Sequence, residues 1–253
     1  MVTAITRQVS PRFAECEITH IERTPIDLDI ARGQHRGYVD ALTTLGCHVI
    51  ELPPEPDLPD SVFVEDTAVV LPEIALITRP GADSRKPETE SVAQALSTLR
   101  QLVHIRKPAS VDGGDVLVLG KNIYVGLSTR SNQAAIDQMQ ALLDEYGYSV
   151  IGVELHDCLH LKSAVTRVED GTLLINKNWV NAEHFSGYDW IEVDASEPYA
   201  ANCLPIGDSI IFPSAFPGTQ AKLQARGYSI CSVDVSELAK AEGAVTCCSL
   251  VIS

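Results

Sequence analysis

A thiol, an imidazole and several carboxylates stand where predicted strands begin, spread from residue 65 to residue 247. Cys247 lies in GAVTCCSLVIS and His160 in HLKSAV. A thiol beside an imidazole is the minimum for covalent catalysis, because the thiolate is the nucleophile and histidine exchanges protons near pH 7. Distance along the chain is no obstacle, since folding assembles such pairs. Taken singly, His160 also fits a core histidine and Cys247 a small buried hydrophobe.

The carboxylates indicate a cationic ligand. Glu65 and Asp66 lie in PDSVFVEDTAVV and Asp112 in SVDGGDVLV, so all three are expected to be at least partly buried. Buried like charges raise one another's pKa values or destabilise the fold unless a cation is bound. A guanidinium matches carboxylate pairs, because it is planar and presents a fork of donors. The alternative is that these acids cap turns and pair with nearby Arg or Lys.

The elements that carry these residues alternate between helices and strands. Apolar spacing predicts helices over 31–45, 88–101 and 131–146, one from Pro217 to Gly227, and one after the expected cap Ser236. A short apolar strand follows nearly every helix, and tightly turned strand pairs precede the helices. The single strands run from Cys47 to Leu52, Leu102 to Ile105, Ser149 to Leu155 and Tyr228 to Val233, and two of the pairs cover 116–126 and 165–175.

These pieces repeat as strand, turn, strand, loop, helix, strand, at intervals of roughly 40 to 50 residues. The first strands begin near Asp66, Asp115, Ser163, Asn202 and Cys247. The N-terminal segment Thr3 to Val9 would complete the fifth unit, so the chain ends would meet. We therefore predict a single domain over 1–253 with a five-module α/β propeller fold. An ordinary doubly wound α/β sheet is the alternative. In a ring, the starts of the first strands would converge on a central channel.

Composition excludes several classes of function. The formal net charge of −15 argues against nucleic acid as a partner. No apolar run is long enough to span a bilayer and MVTAITRQVSPRF does not read as a secretory signal, so we expect a cytoplasmic protein without membrane contact. The seven scattered cysteines include no C-x-x-C pair, which argues against structural zinc and a disulfide framework. The other six histidines lack metal-ligand spacing.

Seven segments, in order from residue 59 to the C-terminus, resemble the dimethylarginine dimethylaminohydrolase family of guanidine-modifying enzymes. They are PDSVFVEDTAVV (59–70), ALITRPGADSRKPE (75–88), VDGGDVL (111–117), GLSTRSN (126–132), LHLKSAV (159–165), YAANCL (199–204) and TCCSL (246–250). The resemblance implies a five-module α/β propeller. It also implies hydrolysis of N-ω-methylated arginine to citrulline and dimethylamine or methylamine, through a covalent cysteine thiouronium intermediate, without metal or organic cofactor.

The same resemblance assigns roles to individual residues. Cys247 would be the nucleophile, His160 the general acid and base, and Asp112 the carboxylate that supports histidine and substrate. The guanidinium would be bound by Asp66, Glu65 and Asp60. Arg85 and Arg130 would hold the substrate α-carboxylate, and backbone carbonyls near Ile18 and Ala241 its α-amino group. Strand alternation would point Cys248 away from Cys247.

Three alternatives stay open on the sequence alone. The first is arginine deimination, or hydrolysis of another substituted arginine, on the same scaffold. The second is a non-catalytic module that binds a cation or a metal. The third is a papain-like hydrolase, whose nucleophile normally sits at a helix start. The expected partner is a small-molecule substrate, a methylated arginine, and a homodimer is the candidate assembly.

Overall fold

The structure is a computed structural model that describes residues 2–252, and its strands form five separate three-stranded sheets. In chain order the strands are β1 (Thr3–Arg7), β2 (His48–Leu52), β3 (Ala68–Val70), β4 (Ile74–Ile77), β5 (Gln101–His104), β6 (Val116–Leu119), β7 (Asn122–Leu127), β8 (Ser149–Glu154), β9 (Val165–Glu169), β10 (Thr172–Ile175), β11 (Asp189–Glu192), β12 (Leu204–Ile206), β13 (Ser209–Pro213), β14 (Ser229–Val233) and β15 (Leu250–Ile252). The α-helices are α1 (Leu28–Thr44), α2 (Glu88–Leu96), α3 (Gln133–Leu143), α4 (Leu161–Ala164), α5 (Pro217–Ala225) and α6 (Ser236–Ala239).

All five sheets are connected in the same way. The first strand pairs antiparallel with the second, and the second pairs parallel with the third, as in β3-β4-β5 and β6-β7-β8. In the fifth sheet the C-terminal β15 is antiparallel to the N-terminal β1, with Thr3 opposite Ile252. The predicted meeting of the chain ends is therefore present. First strands of different sheets also contact one another, namely β15 with β3, β6 with β9, and β9 with β12.

Helix boundaries follow from local capping. Asp27 accepts hydrogen bonds from the amides of Asp29 and Ile30, so α1 begins at residue 28 rather than 31. Asn132 caps α3 in the same way, and the chain then tightens into a 3-10 turn before Gly147. Gly147 has φ +74°, a left-handed conformation that favours glycine and ends the helix.

Several sequence predictions need correction. Helix α2 ends at Leu96 instead of 101, because Gln101 already pairs in β5. Ser236 is the first residue of α6, and Val235 occupies the cap position without a side-chain bond. The third sheet is completed by a 3-10 turn (Ala182–Phe185) and β11, neither of which was predicted. Across residues 2–252, no helix is long and apolar enough to cross a membrane.

A buried histidine on α1 makes the stability of the fold depend on pH. The side chain of His35 is almost fully buried and its Nε2 has no hydrogen-bond partner. Burial lowers the pKa of His35 to about 4, against a smaller opposing effect of Glu51. His35 of the unfolded chain is therefore protonated near pH 6.5, whereas His35 of the folded chain stays neutral down to about pH 4. The free energy of unfolding consequently falls as the pH drops from 6.5 to 4.

We predict that His35→Leu reduces the loss of unfolding free energy between pH 7 and pH 4.5 by roughly 2–3 kcal/mol. Urea denaturation at a series of pH values measures this loss. The exposed His104 provides the control, and His104→Leu should leave the pH dependence unchanged. Parallel curves for the wild-type protein and His35→Leu would contradict the prediction.

Candidate active site

Seven of the ten site residues predicted from the sequence line one small cavity of about 20 Å³, which is room for about one water molecule. They are Asp60, Asp66, Arg85, Arg130, His160, Ala241 and Cys247. Glu65, Asp112 and Ile18 do not line it. Cys247 and His160 therefore face the same enclosed space, although 86 residues separate them in the sequence.

Short turns at the entrance to first strands position these side chains. The 3-10 turn Val64–Thr67 precedes β3 and carries Asp66, while His160 occupies the cap position of α4 just before β9. Gly113 and Gly114 follow Asp112 and allow the turns to approach closely. A Cβ on Gly114 would lie 2.6 Å from His160 Nδ1, and one on Gly113 would lie 1.9 Å from the Glu65 carbonyl oxygen. The two glycines are thus required by packing against the site.

Three buried carboxylates surround the imidazole of His160. Its Nε2 lies 3.2 Å from Asp112 Oδ2, and its Nδ1 lies 4.0 Å from Asp66 Oδ1. Asp115 accepts a bond from the amide of Leu161, next to the imidazole. Burial lowers the pKa of His160, but the charges of Asp66, Asp115 and Asp112 outweigh it and raise the pKa to about 9. The ring is therefore an imidazolium at neutral pH.

Cys247 is a thiol in the free protein. Burial raises its pKa well above the ordinary value, and the charges of Glu65 and Asp66 raise it further. The amide of Ala244 lies 3.4 Å from its sulfur. Cys247 and Cys248 belong to a turn before β15 and not to a strand, so strand alternation does not separate them. Only Cys247 lines the cavity, whereas Cys248 packs into an apolar core.

Arg85 is largely engaged by protein groups. Its Nη1 donates to Asp66 Oδ2 at 2.6 Å, and its Nη2 donates to Glu88 Oε2 at 2.8 Å and to the Phe63 carbonyl at 3.2 Å. Burial alone would raise the pKa of Asp66, but His160 and Arg85 lower it to about 2. Arg85 thereby keeps Asp66 anionic at the cavity wall. Glu88 was not among the predicted residues, because only its ion pair with Arg85 links it to the site.

Glu65 lies behind Cys247 rather than in the cavity. Its carboxylate accepts hydrogen bonds from Lys162 Nζ and from Thr246 Oγ1, the latter at 2.8 Å. Its amide donates to the Cys247 carbonyl at 3.2 Å, and Asn202 accepts from the Thr246 amide at 3.0 Å. This network holds the turn that presents the thiol. Sequence reasoning missed Lys162, Thr246 and Asn202 as members of the site.

Two acids hold a loop at the cavity mouth, namely Asp60, which the sequence predicted, and Glu242, which it missed. The amide of Glu17 donates to the Asp60 carboxylate at 3.1 Å. Glu242 accepts from the amides of Thr19 and His20, each at 2.7 Å, and has a left-handed backbone with φ +59°. Arg130 Nη2 donates to Thr19 Oγ1 at 3.0 Å. The segment 17–20, which includes Ile18, is thereby tied to both sides of the cavity.

Asp66, Asp112 and His160 offer atoms within 4.8 Å of one another, close enough to share a metal ion. A metal would have to displace the proton from His160, whose pKa is raised to about 9. It would also compete with Arg85 for Asp66. Hydrogen bonding within the site therefore opposes metal binding at neutral pH.

Comparisons with known proteins place the chain among its relatives. A family model described as N,N dimethylarginine dimethylhydrolase, eukaryotic, matches residues 19–175. The N(G),N(G)-dimethylarginine dimethylaminohydrolase of Streptomyces coelicolor is 39% identical over 98% of this chain and 95% of its own. The protein of the same name from Pseudomonas aeruginosa is 37% identical over 86% of each chain. The chain belongs to the dimethylarginine dimethylaminohydrolase family.

Solved structures give the same family. A cysteine-to-serine variant of the dimethylarginine dimethylaminohydrolase from Pseudomonas aeruginosa, complexed with citrulline, superposes with a TM-score of 0.94 at 34% identity, covering 99% of this chain and 98% of that one. The N-terminal domain of ArgZ, a cyanobacterial arginine dihydrolase, reaches a TM-score of 0.87 at 18% identity, covering 100% and 97%. The second likeness shows a shared mixed α/β fold alone.

The Glu65–Lys162 pair predicts a large effect on stability. We expect Lys162→Met to lower the free energy of unfolding by about 3–5 kcal/mol, because Glu65 would keep a buried charge without its cation. Lys177→Met is the matched control, since Lys177 pairs with Glu192 at the surface and should contribute less than about 1 kcal/mol. Urea denaturation measures both changes, and equal losses would show that burial does not distinguish the two pairs.

Proposed function

We propose that this chain is a dimethylargininase that hydrolyses N-ω-methylated arginine to citrulline and dimethylamine or methylamine. The observation that carries the proposal is that a thiol and an imidazolium line one buried cavity beside the anionic Asp66. Membership of the dimethylarginine dimethylaminohydrolase family supports the same chemistry. Related structures contain citrulline, which is the product of this reaction, and an adduct with S-methyl-L-thiocitrulline, which is an analogue of the substrate.

Substrate binding brings a further cation to the acids of the cavity wall. The guanidinium head docks against Asp66, with Asp60 nearby, and its charge offsets the carboxylates on the cavity wall. Arg130 and Arg85 attract the α-carboxylate, and the carbonyls of Ile18 and Ala241 accept from the α-ammonium. A cavity of about 20 Å³ is too small for an arginine, so we expect the segment 17–20, whose Glu17 lines the cavity, to move aside and admit it.

The substrate also activates the thiol. Burial and the charges of Glu65 and Asp66 keep the pKa of Cys247 high in the free protein. A guanidinium beside the sulfur opposes those charges, so the thiol releases its proton to solvent and the thiolate forms. The thiolate then adds to the guanidinium carbon, and the imidazolium of His160 protonates the departing nitrogen as the carbon–nitrogen bond breaks.

The second half of the reaction uses the same groups. Loss of its proton leaves His160 neutral, with Asp112 holding its Nε2 at 3.2 Å. It can then take a proton from a water molecule, which attacks the thiouronium carbon. The carbon–sulfur bond breaks, citrulline leaves, and Cys247 is restored. No step of this sequence uses a metal or an organic cofactor.

The fold proposal is a single-domain, five-module α/β propeller. It is supported by five sheets of identical connectivity, by contacts between first strands, and by a fifth sheet that joins the two chain ends. The cytoplasmic location stays a prediction from the sequence. The same holds for the absence of nucleic acid as a partner.

We predict that Cys247→Ser lowers turnover of asymmetric dimethylarginine by about a thousandfold or more, because the hydroxyl is a far weaker nucleophile here. Cys248→Ser is the matched control and should retain most of the activity, since its thiol packs in the core. Citrulline and dimethylamine are quantified together, with unmethylated arginine as the competing substrate. Faster turnover of unmethylated arginine than of dimethylarginine would reject the proposed substrate. Loss of activity in Cys248→Ser but not in Cys247→Ser would reject Cys247 as the nucleophile.

A further inference from the structure

A second cavity, of about 300 Å³, adjoins the catalytic one. The two share three wall residues, Leu159, Glu242 and Gly243. None of the ten site residues predicted from the sequence lines the second cavity. Binding and hydrolysis of a methylated arginine therefore leave this space without a role, although it is far larger than one or two methyl groups.

The walls of the second cavity are mostly apolar and include three aromatic rings. Trp179 and Tyr199 meet edge to face with their ring centroids 5.0 Å apart, and Phe216 lies on the same wall. Tyr199 is 55% exposed, an unusual state for a large apolar side chain in this protein. Preformed apolar cavities of roughly 300 Å³ and more are typical of small-molecule sites. The chemistry of the walls favours an apolar ligand group.

The second cavity reaches residues at the reacting end of the catalytic cavity. Leu159 precedes His160 in the chain, and Ala244, whose amide lies 3.4 Å from the Cys247 sulfur, lines the second cavity. The arginines expected to bind the α-carboxylate, Arg85 and Arg130, line only the catalytic cavity. A group in the second cavity would thus lie near Leu159 and Ala244, next to the residues that act on the nitrogen that departs.

Leu159, Glu242 and Gly243 form the partition between the cavities, since they line both. Gly243 contributes only backbone atoms to the partition. A side chain does not fit there, because its Cβ would lie 2.2 Å from Phe63 Cε1. Leu159 contributes a half-buried side chain, which can change rotamer without opening the core. We expect rotation of Leu159 to widen the connection between the two spaces.

We infer that the second cavity receives an apolar substituent on the ω-nitrogen of an arginine derivative, so that groups as large as benzyl are accepted. The inference rests on the proposed function, because Cys247 and His160 perform the same reaction. The bond between the guanidinium carbon and the substituted nitrogen breaks, that nitrogen takes the proton of His160, and benzylamine departs. Water supplies the oxygen of citrulline, so no oxidant or reductant is needed.

The test compares kcat/KM for N-ω-benzylarginine and N-ω-methylarginine within each variant, with citrulline and the released amine both quantified. The ratio of the two values cancels general effects on catalysis. Ala215→Trp fills the rim of the cavity at an exposed position, and Tyr199→Ala removes one aromatic wall. The matched controls are Ala225→Trp and Ile30→Ala, which alter exposed residues outside both cavities.

We expect the benzyl-to-methyl ratio to fall about tenfold or more in Ala215→Trp and about fivefold in Tyr199→Ala, with both controls within about twofold of the wild type. Leu159→Ala should raise the ratio by about threefold or more, because it widens the passage between the cavities.

The outcomes distinguish failure of the inference about the second cavity from failure of the proposed function. No turnover of either substrate by the wild-type protein would reject the proposed function and the inference with it. Turnover of the methyl substrate alone would overturn the inference and leave the function intact. Turnover of both, with a ratio that neither Ala215→Trp nor Tyr199→Ala changes, would also overturn it, since the substituent would then lie elsewhere.

Discussion

The attraction between His160 and its buried carboxylates determines the chemistry of this site. Asp66, Asp112 and Asp115 together overcome the burial of the ring and keep it protonated. Burial, together with the charges of Glu65 and Asp66, suppresses the thiolate of Cys247 by raising its pKa. In the ligand-free site, His160 is therefore protonated and can donate a proton to a leaving group, whereas Cys247 stays a thiol until a cation binds. A guanidinium substrate brings that cation, so binding and activation are one electrostatic event.

The fold sustains this concentration of charge by placing each group at the entrance to a first strand. Short turns at those points bring residues from several sheets together and leave their backbone amides free to bind acids, as Gly114 binds Asp66 at 2.9 Å. Arg85 and Lys162 balance the acids that face away from the cavity or support its wall. Replacing either cation would leave a buried anion unpaired, which costs far more than an exposed pair contributes.

Sequence reasoning located the site because the repeat indicates where the first strand of each sheet begins. Cys247, His160 and Asp66 all lie near these positions. The same reasoning treated Glu65 and Asp66 as one pair of ligands, whereas the 3-10 turn that carries them rotates by about 120° per residue and points them apart. Glu17 and Glu242 were missed because loop residues have no periodic signal. Glu88, the first residue of α2, was missed because only its buried ion pair with Arg85 links it to the site. The link Ala182–Phe185 was missed because one turn is too short to show helical spacing.

The charge of His160 in the ligand-free protein tests this account most directly. Nitrogen-15 NMR distinguishes imidazolium from imidazole, and a His160→Gln variant assigns the resonance. The account predicts an imidazolium at pH 7 that loses its proton near pH 9. A neutral ring at pH 7 would contradict it, because the carboxylates would then have failed to outweigh burial and no acid would be in place for the departing amine.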